Sequence, residues 1–194
     1  IDNCLSTSSN SDSKQITESG GGLCGQGIGG GSGSATVIIT NCTNQLDIGK
    51  KAGGICGQYA SNYEIVNCSN SGDIVGDYAG GICGSRSYGG TIEYCWNKGE
   101  IGGDSNGGSG GICGLRAGEN HTLVISYCYN KGEISSTNSG GICGRYAGSN
   151  GGIVTIFNCY NEADGNSNYE YQGGIVGNGA GGYSDGSPGE AYIY

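Results

Sequence analysis

Eleven cysteines stand in this 194-residue chain at spacings that point to covalent chemistry. Five occupy a repeated pentapeptide, Gly-Gly-(Leu/Ile)-Cys-Gly, at Cys24, Cys56, Cys83, Cys113 and Cys143. A sixth copy, Gly173 to Gly177, carries Val176 in the cysteine place. Five more occupy a second motif, Ile-x-(Asn/Tyr)-Cys-x-Asn, at Cys42, Cys68, Cys95, Cys128 and Cys159, and Cys4 closes a partial copy, Ile1-Asp2-Asn3-Cys4. A zinc or iron–sulfur site would bring C-x-x-C pairs and histidines. The chain has no C-x-x-C and one histidine, so no metal and no cofactor is expected. Disulfides formed in an oxidising compartment are the expectation. The two series alternate after Cys4, and the simplest pairing is Cys24–Cys42, Cys56–Cys68, Cys83–Cys95, Cys113–Cys128 and Cys143–Cys159. The rival register starts Cys4–Cys24 and Cys42–Cys56 and leaves Cys159 over. Val176 favours the first, because a valine there leaves no thiol wanting a partner. Cys4 is then unpaired or intermolecular.

Other chemistry is thinner. Asp47, Asp73, Glu100 and Glu133 recur at one place per repeat, where a hydrolase, lyase or calcium site would need them. Like charges stacked inward repel, so an outward, solvated column is expected. Asp164-Gly165-Asn166-Ser167-Asn168 begins like a calcium loop but lacks the later glycine and glutamate, and Gly102-Gly103-Asp104 lacks the tandem copies of a calcium nonapeptide. His121, in a loop insertion, has no nucleophile or ligand cluster beside it in sequence. No catalytic residues are assigned. Trp96, Tyr129 and Tyr160 each follow the cysteine of the second motif, and are read as an aromatic ladder on one face, either for stability or as a binding strip for glycan or a second subunit. The threonines fall at no single repeat position, against an ice-binding face. Three sequons occur, at Asn41, Asn67 and Asn120; the first two lie on strands beside a cysteine, and Asn120, in a loop, is the glycosylation candidate.

These residues need elements to position them. The pentapeptide cysteines are 32, 27, 30 and 30 residues apart, and Val176 lies 33 further on. A regular but elastic period of 27–33 residues marks a stacked array. A third motif, Gly-(Asp/Glu)-Ile at Gly72, Gly99 and Gly132, gives each unit three short β-type runs separated by Gly, Asn and Ser. No run has helical periodicity. The expected fold is all-β: a right-handed parallel β-solenoid (β-helix) of about six coils, disulfide-braced, forming a single domain over 1–194. Residues 1–20 read as an irregular N-terminal part coil and 178–194 as a C-terminal part coil without an obvious cap. Ile39, Ile65, Ile92, Ile125 and Ile156 should form one interior ladder, and the pentapeptide isoleucines another. At coil corners the pentapeptide glycines can take φ > 0 and let backbones approach closely.

Composition narrows the partners. The 45 glycines fall at fixed places in the repeat, which argues for order. A net charge of −9, from 17 acidic and 8 basic residues, disfavours nucleic acid and anionic membranes, and no apolar run approaches the ~20 residues of a membrane helix. Ala191-Tyr192-Ile193-Tyr194 reads as the start of a second-motif strand and Ile1-Asp2-Asn3-Cys4 as the end of one, so head-to-tail self-association or a place within a longer protein is expected.

The pentapeptide followed by a variable loop and I-x-N-C-Y-N-x-G-x-I, best seen at Ile125 to Ile134 with Gly140 to Gly144, resembles the GLUG-type repeat of bacterial and archaeal cell-surface proteins. The resemblance spans about Gly20 to Gly177. It implies an extracellular, adhesin-like or stalk-like β-solenoid, a type that also occurs as an accessory region of secreted proteases, and it carries no catalytic residues to this chain. Cysteine where the family usually has valine is a departure. The expected role is an extracellular, non-enzymatic structural protein, a filament subunit or stalk segment of a cell-surface adhesin. The alternatives are a glycan- or ice-binding module contacting a host surface, and an accessory domain of a secreted enzyme.

Overall fold

The structure, a computed structural model, describes residues 1–8, 15–30, 35–103, 106–163, 168–182 and 188–194. Among these there is no helix, and every strand pairing is parallel. The three motifs become three kinds of rung.

The runs before Cys42, Cys68, Cys95, Cys128 and Cys159, together with Glu190–Ile193, form a six-stranded sheet: Val37–Thr40, Tyr63–Val66, Gly90–Glu93, Thr122–Ser126, Ile153–Phe157 and Glu190–Ile193. The β-branched residues at these positions suit a pleated, half-buried surface. Register puts Ile39, Ile65, Ile92, Ile125, Ile156 and Ile193 in one row, and the first five are buried as predicted. One rung row inward is less uniform: Val37, Tyr63, Gly90, Leu123, Val154. Volume is balanced there between neighbours. A Cβ on Gly90 would lie 2.7 Å from the Tyr63 ring, so the glycine makes room for the fully buried tyrosine.

The dipeptide after each of those cysteines forms a second six-stranded sheet, Leu5–Ser6, Thr43–Asn44, Ser69–Asn70, Trp96–Asn97, Tyr129–Asn130 and Tyr160–Asn161. The third motif gives a row from Ile16 through Ile48, Ile74 and Ile101 to Ile134. With Ala52 and Ala79 that row forms a core of its own, apart from the main one. Its first member, Ile16, was not visible in the motif, because Gln15-Ile16 lacks the preceding glycine. The pentapeptides stack glycine on glycine and cysteine on cysteine, ending Cys143 on Val176.

The glycine expectation needs correction. None of the pentapeptide glycines has a positive φ. Left-handed backbone occurs instead at three other places per repeat: the residue before each second-motif cysteine (Asn3, Asn41, Asn67, Tyr94, Tyr127, Asn158), three past each pentapeptide cysteine, and two before each pentapeptide. Asparagine tolerates that region well, which accounts for its place at four of these six positions, whereas Tyr94 and Tyr127 gain nothing from that preference. Apart from Gly25 and Gly174, which have open space, the pentapeptide glycines are required by proximity alone. A Cβ on Gly53 would lie 2.1 Å from the Cys56 carbonyl oxygen, and one on Gly54 would lie 2.3 Å from the Gly81 oxygen in the next rung.

Candidate functional site

In-register stacking turns each repeated side chain into a row along the axis. The cysteines make two rows, Cys24 to Cys143 and Cys4 to Cys159, and all but Cys4 and Cys159 are buried. All eleven are free thiols. The expected pairs Cys24–Cys42, Cys56–Cys68, Cys83–Cys95, Cys113–Cys128 and Cys143–Cys159 are not formed. Parallel register stacks each cysteine on its counterparts in the rungs above and below, and both rows lie in one core cluster. Each thiol from Cys42 to Cys159 also lies within 3.0–3.4 Å of the carbonyl oxygen two residues earlier, as a weak donor. Burial pushes the Cys83 and Cys95 thiols well above the ordinary thiol range. Cys128, between Cys95 and Cys159, is drawn down by hydrogen bonds from Cys159 first and then Cys95.

Beside the second cysteine row runs a row of buried asparagines that the motif displayed but whose role it did not reveal. Each Asn44, Asn70, Asn97 and Asn130 donates from Nδ2 to the Oδ1 of the next asparagine at 2.7–2.8 Å, ending on Asn161. The same Nδ2 donates at 2.7 Å to the backbone carbonyl two residues on. Burial without that network would be costly.

The aromatic expectation holds in its geometry. Trp96, Tyr129 and Tyr160 pair in register and stack, with ring centroids 5.9 and 5.2 Å apart and planes within 9°. Tyr94 and Tyr127 stack alongside at 4.9 Å and are about half exposed. The rings cover one another's faces, so the strip presents mainly ring edges to solvent. A sugar needs an open face, which leaves the outer faces of the end rings and the phenol oxygens as its contact points.

A polar cluster at the loop insertion escaped the sequence reading. Glu119 is 4% exposed and lies 2.8 Å from Arg86 Nε and 3.0 Å from Arg116 Nη1. Asn150 Nδ2 donates to it at 2.7 Å. His121 stacks on Tyr88 at 5.1 Å, and Tyr88 on Tyr59 at 5.8 Å. Glu119 has no counterpart in other repeats, so periodicity could not flag it. Its two guanidinium partners hold it as a structural ion pair.

The carboxylate column stands outward, as expected, with Asp73, Glu100 and Glu133 exposed. Asp47 accepts the Asp73 N–H at 3.1 Å, Asp73 accepts the Glu100 N–H at 2.9 Å, and Glu100 accepts the Ser135 hydroxyl. These acids serve the backbone and side chains of the next rung. Among the described residues no three His, Cys, Asp or Glu side chains converge as a metal cluster. Residues 164–167 and Asp104, of the two calcium-like stretches, lie outside the described residues. The outward row of the first sheet reads Ile38, Glu64, Thr91, Val124, Thr155, with no threonine ladder. Asn41 and Asn67 are engaged through their side-chain amides, whereas Asn120 is exposed in its loop. No helix among the described residues is long and apolar enough to cross a membrane.

No protein-family model, no curated protein and no solved structure matches this chain.

Proposed function

We propose that this chain is a right-handed parallel β-solenoid of about six coils that serves as an extracellular, non-catalytic rod, a stalk or filament segment of a cell-surface adhesin of the GLUG-repeat kind. The observation that supports this reading is the investment of repeated side chains in axial stacking. Isoleucine, cysteine, asparagine and aromatic rows all run in register from repeat to repeat. Such rows stiffen a rod along one direction and leave the surface to vary. Head-to-tail association with further copies extends the same stacking. Negative-stain electron microscopy of the native material tests it: uniform rods, ~30 Å long per chain at ~4.8 Å per coil, or filaments built of them, are expected. Round particles, or fibre diffraction without the ~4.8 Å axial spacing, would sink it.

A second reading, a glycan-binding module, is favoured by the half-exposed Tyr94 and Tyr127 beside the Trp96–Tyr129–Tyr160 stack. Glycan-array binding that disappears in a folded Trp96→Ala/Tyr129→Ala variant would establish it. An array blank for the unaltered chain would remove it.

A further inference from the structure

The connection from the pentapeptide to the first sheet varies in length, and the variation shapes the surface. Between register-matched residues, Cys24 to Val37 spans 13 residues, Cys56 to Tyr63 and Cys83 to Gly90 span 7 each, Cys113 to Leu123 spans 10 and Cys143 to Val154 spans 11. Two short connections thus lie between longer ones. At that place the surface holds a cleft of about 420 Å³, floored by Asn62, Glu64, Gly89 and Thr91, with Thr36 at one end and His121 at the other. Gly89 adds no side chain to the floor and so deepens it.

The polar groups of this cleft are unengaged, unlike those of the neighbouring surface. Asp47, Asp73 and Glu100 bond to the next rung, Glu162 pairs with Lys131, and Glu18 pairs with Lys51. Glu64 is exposed, and among the described residues its carboxylate meets neither a base nor a donor. Asn62 donates from Nδ2 to the Gly29 carbonyl at 3.2 Å, which leaves its Oδ1 as an acceptor. His121 stacks on Tyr88 and donates from Nδ1 to the Glu119 carbonyl at 3.0 Å. A carbonyl only accepts, so Nδ1 carries the proton and the neutral ring keeps Nε2 as an acceptor. Glu119 is itself anchored by Arg86, Arg116 and Asn150, from its own rung and the rungs on either side. The histidine is therefore fixed in place before any ligand arrives.

The lining selects the class of ligand. Among the described residues no lysine or arginine borders the cleft, which argues against phosphate, sulfate or carboxylate. No aliphatic side chain lines it, and the Tyr63 ring is buried in the core, which argues against an apolar ligand. A carboxylate, a carboxamide oxygen and a ring nitrogen accept hydrogen bonds there, and the hydroxyls of Thr36, Thr91 and Thr122 both donate and accept. That set matches a ligand rich in hydroxyl groups. The volume, near the low end of the roughly 300–1,000 Å³ of ligand sites, suits one or two sugar rings. We propose that this cleft binds a neutral saccharide, with the Glu64 carboxylate accepting from adjacent hydroxyls and His121 closing one end. The site shares no residue with the Tyr94–Tyr127 strip and does not depend on the chain being a rod.

His121 is the chain's one histidine, so its imidazole signals report on the cleft unambiguously. The test is an NMR titration of the isotope-labelled full chain with cellobiose, lactose and maltose at constant pH. With at least one of the three, saturable shifts of the His121 ring and of the Gly89, Gly90 and Thr91 amides are expected, at a millimolar dissociation constant. Glu64→Ala and His121→Ala, both at exposed positions, should weaken that binding by about tenfold or more, with circular dichroism unchanged. Should His121→Ala disturb the fold, Glu64→Ala alone decides. Trp96→Ala/Tyr129→Ala should bind as the unaltered chain does, which separates this cleft from the aromatic strip. Four results would each overturn the proposal: no saturable shift with any of the three sugars, undiminished binding by Glu64→Ala, shifts confined to the strip, or shifts with spermidine in place of the sugars, which would mark a site for cations.

Discussion

Asn97 illustrates how one residue is tied to its neighbours two rungs deep. Its Nδ2 serves both the Gly99 carbonyl and Asn130 Oδ1, and its Oδ1 receives the amide of Asn70. Asn97→Ala removes all three bonds from a fully buried position. The expected loss is about 1–3 kcal/mol, read as a lower urea midpoint at unchanged slope. A midpoint equal to that of the unaltered chain would mean the row contributes nothing. The asparagine itself was legible, since it stands two places after the cysteine in every full copy of the motif. Its role was not, because a polar residue on a short strand is as easily read facing water. Only the register, which sets each asparagine over the last, turns it inward and satisfies it.

At the scale of the element, the pentapeptide fixes how closely one repeat can lie on the next. The second glycine of each copy faces the carbonyl of its successor: a Cβ on Gly81 would stand 2.2 Å from the Gly111 oxygen, whereas one on Gly174 meets no atom within 4 Å. Gly81→Ala should therefore force the rungs apart and cost about 1–3 kcal/mol or more, while Gly174→Ala at the same motif position should leave the thermal midpoint nearly unmoved. Equal effects at the two sites would contradict the close-approach argument. The three strand-forming runs, their order and the isoleucine rows were all readable from motif spacing. The places of left-handed backbone were not. Glycine serves both conformational freedom and close approach, and a sequence does not say which. Here Asn, Tyr, Arg, Lys and Ser take most of the left-handed corners while the pentapeptide glycines take the contacts.

For the whole molecule, the state of the cysteines decides what holds it together. With every cysteine a thiol, cohesion comes from burial and from hydrogen bonds between rungs, and reductant should leave the melting curve where it was. A large fall on reduction would restore the within-coil disulfides read from the motif order. Alkylation gives the complementary measurement. In native buffer only Cys4 and Cys159 should react, and the remaining nine should become available together when the chain unfolds. The alternation of cysteines along the chain was legible, but their partners depended on knowing that like residues stack. The asparagine row has a last consequence. Its carboxamides all point the same way, Nδ2 of one rung to Oδ1 of the next, from Asn44 to Asn161. The backbone bonds beside them run in both directions, as when Gly22 donates to Gly53 and Gly53 donates to Gly20. The backbone contributions therefore cancel and the carboxamide dipoles add. The molecule is an electrically polar object, with an amide-hydrogen pole at the Asn161 end and an oxygen pole at the Asn44 end, and between two such molecules, each of net charge −9, this dipole favours the antiparallel over the parallel orientation.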